Sequence, residues 1–426
     1  MRQRTAGGWT CATIGQPTRT PEPATKDGME QPRDVLIRFH EVALKGRNRP
    51  MFINALVEGV RRATQGLGVR RVWTGRLMVR LEMEPGADWP AVRARLTTVS
   101  GIAKFALAHR TGAEYDAIAG LVREVLRGER FASFRIITNR ADKRFALTSQ
   151  EMNARLGEQV RVESGARVSL TRPEVEVRVE ILPREAFVYV SETQGAGGLP
   201  TGTGGRVAVL MSGGIDSPVA AWRMMRRGCR AVLIHFHAFP LVEGRSREKA
   251  RELAELLNAY QYDTRLYLVP FAPLQQQVLL AVPPEFRVVA YRRFMVRIAE
   301  AIARRDGARA LVTGESLGQV GSQTLTNITT IDAVATMPIL RPLIGMDKQE
   351  IVAQAQRIGT FETSILPDED CCTLFTPRSP STAVHVETAA HVERSLPIEE
   401  LVAQAVAASE VHDYVMGTPA RARQPA

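Results

Sequence analysis

The chain has 426 residues, 45% of them hydrophobic and 24% charged, with a formal charge of +11. That length exceeds one ordinary core, so two or three domains are expected, and the composition excludes a fibrous or wholly disordered chain. No apolar run reaches membrane-spanning length, and the basic excess points to a polyanionic partner only where the cations cluster.

Residues 1–28 are rich in Thr, Pro and Gly and lack the apolar core of a secretory signal. Residues 1–33 therefore read as a disordered extension, with Met29 a candidate for the true start. Val35 to Leu44 begins as a strand, and Lys45 to Pro50 is a basic turn. Both a solvated loop and a phosphate contact stay open for that turn. From Met51 to Leu67, Phe52, Leu56, Val57 and Val60 recur at helical spacing. Strands at Val69–Trp73 and Leu77–Leu81, a helix at Ala91–Val99 and a strand at Ala103–Ala108 follow. This β-α-β-β-α-β order over 34–105 is that of a ferredoxin-like domain.

Residues 106–192 form a second α+β module: helix Tyr115–Arg127, strand Ser133–Thr138, basic turn Asn139–Arg144, helix Glu151–Ser164. Val175, Val177, Val179 and Ile181 alternate, and this strand pairs with Ala186–Ser191 across Leu182–Glu185. Arg140, Lys143, Arg144, Arg155, Arg161, Arg167 and Arg172 make the module basic with few aromatics. That favours recognition of RNA backbone and shape over base stacking. The glycine-rich stretch 193–205 reads as a flexible linker.

From 206 to 400 strands and helices alternate: strand Val207–Met211, helix Pro218–Arg227, strand Ala231–Phe236, helix Ser246–Tyr260 and strand Arg265–Val269. Helix Tyr291–Arg305 and strand Ala310–Thr313 continue the series, which indicates an α/β fold with a doubly wound parallel sheet. Residues 401–426 read as a frayed tail.

Val207-Ala-Val-Leu-Met-Ser-Gly-Gly-Ile-Asp-Ser-Pro218 is the most informative stretch. A strand, a glycine turn and a helix start, with Ser217 suited to the N-cap and Pro218 to the first turn, make an anion site. Gly213 and Gly214 turn backbone N–H groups inward, and Ser212 and Ser217 add hydroxyls. Asp216 would repel phosphate unless a divalent cation lies between, which implies Mg²⁺. A Walker lysine and a third dinucleotide-type glycine are both absent. The run resembles the PP-loop of ATP pyrophosphatases, which split ATP between its α and β phosphates.

Further marked segments fall at the carboxyl ends of strands: His235-Phe-His237, Thr313-Gly-Glu-Ser316 with Gln319 and Gln323, and Asp347-Lys348. Phe236 reads either as an adenine stack or as plain core. Arg292 and Arg293 are mid-helix cations whose default is solvation, and Lys348 reads equally as a charge stabiliser or an exposed lysine. The four cysteines, Cys11, Cys229, Cys371 and Cys372, are too few for a disulfide scaffold and fit a reducing cytosol. Cys371 and Cys372 adjoin in an acidic, proline-bounded loop, where thiolate, persulfide or transient disulfide chemistry suits them better than zinc.

Ser212–Ser217, Thr313-Gly-Glu-Ser-Leu-Gly-Gln-Val-Gly-Ser-Gln323, Arg341-Pro-Leu-Ile-Gly-Met-Asp-Lys348 and Asp370-Cys-Cys-Thr373 together resemble the tRNA 4-thiouridine synthases (tRNA sulfurtransferases) from about Val35 to Glu400. The resemblance implies a ferredoxin-like domain, a THUMP RNA-binding domain and a PP-loop domain. It implies ATP contacts at Leu210, Met211, His235, Phe236, Arg292, Gly314 and Gln323, with Asp216 and Lys348 needed for activity. Sulfur handling falls to the Cys371–Cys372 pair, with either one first. Some members carry a rhodanese-like domain that this chain does not reach, so sulfur is expected from a cysteine desulfurase or another persulfide donor. A role towards a sulfur-carrier protein of thiamine thiazole synthesis, and a homodimer, stay open. The implied reaction adenylates O4 of uridine-8 in tRNA and replaces it with sulfur. An amidating PP-loop ligase and a non-catalytic RNA-binding protein are the rival readings.

Overall fold

The computed structural model describes residues 31–75, 78–242, 244–367, 380–417 and 421–423. They divide into two compact units: Ala106–Glu192 with the residues up to Asp34, and Val35–Phe105 with Thr193–Ala426.

The chain opens with β1 (Asp34–Arg38), α1 (Arg49–Ala63), β2 (Val69–Thr74), β3 (Val79–Met83), α2 (Trp89–Thr98) and β4 (Lys104–Thr111), in sheet order β2-β3-β1-β4. Phe52, Leu56, Val57 and Val60 are the buried stripe of α1, as their spacing requires. The second hairpin strand is described from Val79; Leu77, where its start was expected, lies outside the described residues.

The other unit continues with α3 (Tyr115–Leu126), β5 (Ser133–Arg140), α4 (Ser149–Ser164), β6 (Arg167–Val168), β7 (Val175–Ile181) and β8 (Ala186–Tyr189), in order β8-β7-β5-β6. Its core joins Ile118 and Val122 of α3 and Met152 and Leu156 of α4 to Phe134, Val177 and Val179 of the strands. A capping box between Thr148 and Glu151 fixes where α4 begins.

The glycine-rich stretch is not slack. It opens with β9 (Thr193–Gln194), paired to β4, and the amides of Gly195, Gly197, Leu199 and Gly202 donate to Ala103, Ile102, Arg226 and Gly228 at 2.7–2.9 Å. A Cβ on Gly198 would lie 2.1 Å from the Arg226 carbonyl oxygen, so glycine is there for close approach as well as for its φ of +73°.

The third segment supplies β10 (Arg206–Leu210), α5 (Asp216–Arg226), β11 (Arg230–His237), α6 (Arg245–Gln261), β12 (Asp263–Pro270), α7 (Ala272–Ala281) and α8 (Arg287–Arg305). Then come β13 (Leu311–Val312), α9 (Leu325–Asp332), β14 (Ile339–Leu340), α10 (Lys348–Arg357), α11 (Phe361–Ser364), α12 (Val386–Glu393) and α13 (Ile398–Ala407), with β15 (Glu410–Val415) and β16 (Arg421–Arg423) last. Five parallel strands run in the order β14-β13-β10-β11-β12. One face packs on α5, α6 and α10, the other on α7, α8, α9, α12 and α13. This is the doubly wound parallel sheet expected from the alternation.

Residues 401–417 are not frayed. α13 crosses residue 400 and buries Leu401 and Ala405, and β15 adds antiparallel to β12, tied by Arg265 to Asp413 at 2.8 Å. Val411 and Tyr414 are the buried residues of β15, three apart and in the cores on opposite faces of the sheet, so the strand carries no period-two signal.

Candidate nucleotide site

β10 lies between β11 and β13, and the chain leaves it in opposite directions to reach them, so a crevice opens above its carboxyl end. The Met211 amide still donates to Ile234 at 2.8 Å, and the chain then turns through Ser212, Gly213 and Gly214 into α5. That helix starts at Asp216, not Pro218, so Ser217 is no N-cap. It is buried in the first turn, and its hydroxyl donates to the Ser212 carbonyl at 2.9 Å. Gly314, just past β13, presses against this junction: a Cβ there would sit 2.8 Å from the Ser217 nitrogen.

Asp216 is held on both sides. Lys348 Nζ donates to Oδ1 at 2.7 Å and Gln319 Nε2 to Oδ2 at 3.0 Å. Lys348 opens α10, where Asp347 and Glu350 form a capping box, so its position is set by a defined helix start. Opposite, the buried carboxylate of Glu315 accepts from Arg292 Nη1 (2.6 Å), Arg341 Nε (2.7 Å) and the Thr313 hydroxyl (2.9 Å). Asp332 holds the far side of the Arg341 fork. His235 Nδ1 lies 2.9 Å from the Met211 carbonyl, which makes it the protonated nitrogen. Phe236 meets Phe271 edge to face, with ring centroids 5.4 Å apart.

One cavity joins these groups. Leu210, Met211, Ser212, Asp216, Ser217, His235, Phe236, Arg292, Gly314 and Gln323 all line it, together with Glu315, Arg341 and an apolar wall of Met295, Val296, Ile331 and Ile339. Gly213 and Gly214 belong to the turn but not to this lining, and Lys348 reaches the cavity through Asp216. Cys371 and Cys372 lie outside the described residues. Among the described residues no group of three or more His, Cys, Asp or Glu is placed to hold a metal ion.

Several sequence readings change. Arg293 is buried, not solvated: it donates to Glu393 at 2.8 Å and to the Thr330 carbonyl at 2.7 Å, and braces α8. Only its neighbour Arg292 faces the cavity. Phe236 is both core and wall. Glu315 and Arg341 had no assigned role; the available signal was a charged residue right after a buried strand. His237 turns away from the cavity lining, and burial, then Arg247 and His235, push its pKa down to about 3. Cys229 is buried, and burial raises its thiol pKa, which disfavours the thiolate. In the basic module, Arg140 holds the Phe145 and Leu147 carbonyls and Arg144 forks onto Asp142, while Lys143, Arg167 and Arg172 stay exposed.

A strand–glycine turn–helix at a switch point, facing an apolar slot and two arginines, defines a nucleotide-binding domain of the PP-loop class. The family described as thiamine biosynthesis protein (ThiI) matches residues 202–398, the ThiI ferredoxin-like domain 34–106 and the THUMP domain 112–191. A protein of Thermus thermophilus named probable tRNA sulfurtransferase is 52% identical over 88% of this chain and 92% of its own. One of Brevibacillus brevis with the same name is 41% identical over 89% and 96%. A 4-thiouridine synthetase crystallised with RNA and ATP superposes with a TM-score of 0.82 at 32% identity, covering 90% of this chain and all of that one. The chain belongs to the tRNA sulfurtransferase family.

Proposed function

We propose that this protein uses ATP to transfer sulfur to tRNA, adenylating O4 of uridine-8 and replacing it with sulfur to give 4-thiouridine. The observation that carries the reading is the cavity itself, in which the apolar slot and the Ser212–Ser217 turn meet beside a carboxylate clasped by Lys348. The 4-thiouridine synthetase solved with ATP and RNA supports it.

In this reading the adenine enters the slot beside Phe236 and Val296, with Leu210, Met211, His235, Gly314 and Gln323 around the nucleoside. The outer phosphates lie against Ser212, Gly213, Gly214 and the start of α5, where backbone N–H groups and the helix dipole favour negative charge. Arg292 contributes a further cation. Asp216 suits Mg²⁺: it is one carboxylate at the phosphate end, and each oxygen keeps a lone pair beyond its hydrogen bond. A magnesium ion held there with phosphate oxygens would neutralise charge on the pyrophosphate.

Uridine O4 attacks the α-phosphorus, and pyrophosphate leaves. Lys348 stabilises the developing charge. A persulfide on Cys371 or Cys372 attacks C4 through its terminal sulfur, and AMP departs with O4. The neighbouring thiolate then attacks the cysteine sulfur of the adduct, forming a Cys371–Cys372 disulfide and releasing 4-thiouridine. A cellular thiol reduces the disulfide, and a cysteine desulfurase or another persulfide donor reloads the cysteine. The same persulfide suits a sulfur-carrier protein for thiamine thiazole synthesis. In the 106–192 module, exposed cations including Lys143, Arg144, Arg167 and Arg172 suit tRNA phosphates.

Purified protein given ATP, magnesium, unmodified tRNA and a persulfide donor should release AMP and pyrophosphate in step with 4-thiouridine measured by mass spectrometry. ADP in place of AMP would sink this reading.

A further inference from the structure

Four arginines converge at the end of α5 remote from the candidate nucleotide site. α5 and α10 run parallel: Lys348 meets Asp216 at their first residues, and Arg223 Nε donates to Gln354 Oε1 at 2.8 Å further along. Their last turns bring Arg223, Arg226 and Arg227 towards Arg357. Arg226 lies over the Trp222 ring, 4.8 Å from its centroid, and its Nε finds no hydrogen-bond partner among the described residues. Burial, then the like charges of Arg357 and Arg223, hold its guanidinium below the ordinary arginine range. Arg227 pairs with Glu41 at 2.9 Å, which brings alongside the ferredoxin-like turn with Lys45 and exposed Arg47 and Arg49.

Helix C-termini favour cations, but that effect is worth only about 0.3–1 kcal/mol and does not require four of them in one place. Crowding like charges works against folding, so the cluster fits an external anion better than it fits internal stability. Arginine is also the side chain whose planar fork matches phosphate in two hydrogen bonds. The eleven residues of α5 span about 16 Å, so one helix links the reacting end to this cluster. A folded RNA with its target base at Asp216 has backbone within that reach.

We propose that the C-terminal ends of α5 and α10, with the turn at 45–49, bind the phosphate backbone of the RNA substrate. This contact is additional to the cations of the 106–192 module, and it rests on the reading that the substrate is tRNA. An acidic protein face is the competing occupant, and repeated forks at helix ends suit it less than a continuous phosphate chain.

The experiment is binding of an unmodified tRNA transcript to the full-length protein over a salt series, for wild type, R357E and R226E/R357E. Because Arg226 packs on Trp222, exposed R357E alone keeps the test valid if the double variant misfolds. R357E should lower the slope of log affinity against log salt by about 1, and the double variant by about 2, with Kd raised about tenfold. The KM for ATP should stay within about twofold. Unchanged Kd and slope in folded R357E would overturn the proposal. So would normal tRNA binding combined with poor sulfur uptake from a protein donor, which assigns the face to a protein. Wild type that binds tRNA with a slope lost in the variants, yet makes no 4-thiouridine, would remove the proposed reaction and leave this contact standing.

Discussion

Lys348 is 48% exposed, so its ion pair with Asp216 belongs to a class worth about 0–1 kcal/mol of stability. Stability therefore does not account for the pair; its place beside the Ser212–Ser217 turn does. K348A should leave urea unfolding within about 1 kcal/mol of wild type. It should also slow 4-thiouridine formation about a hundredfold, the scale of losing one transition-state charge partner. Glu315 behaves in the opposite way. It is buried and holds Arg292 and Arg341 together, so E315Q strips this counter-charge from Arg292 and leaves Arg341 to Asp332 alone. We expect a loss of about 3 kcal/mol in stability. The KM for ATP should rise about tenfold in steady-state assays, because Arg292 loses its anchor. Sequence made Asp216 visible through its motif and Lys348 through a helix start. It could not show that Glu315, Arg341 and Asp332 form one network, because each looks like a surface charge until the sheet brings them together.

At the scale of elements, periodicity was a good guide wherever one face is buried. α1, α4 and β7 follow their apolar spacing, and the alternating series gave the parallel sheet. The glycine-rich stretch shows where composition misleads. The same residue serves slack chain and close approach, and only the neighbouring backbone tells them apart. Gly198 separates the two cases: a Cβ would meet the Arg226 carbonyl, and its φ of +73° adds strain. G198A should therefore cost about 2 kcal/mol or more in urea unfolding, whereas in a flexible linker it would be neutral or slightly stabilising. The C-terminal segment failed for a related reason. β15 is a short strand between β12 and β16 whose partner β12 is about 150 residues upstream, and pairing at that separation leaves no local trace.

For the molecule as a whole, acid stability depends in part on His237. It is buried among Arg247, His235, Glu410 and Arg251, with its pKa pushed down to about 3. The unfolded chain takes up a proton below about pH 6.5 that the folded protein refuses. Stability should therefore fall as pH drops from about 6.5 towards about 3, by up to about 1.4 kcal/mol per pH unit. H237F should remove about 1–2 kcal/mol of the loss between pH 7 and pH 5 in urea titrations. The clasp on Asp216 has a consequence of its own. With Lys348 and Gln319 each donating to one of its oxygens, a cation at Asp216 would have to share or displace these partners. If a triphosphate lies there as proposed, it would offer the lysine a richer counter-charge than its aspartate does. AMP would offer less, so on that reading the lysine's return to its aspartate would accompany release of the nucleotide.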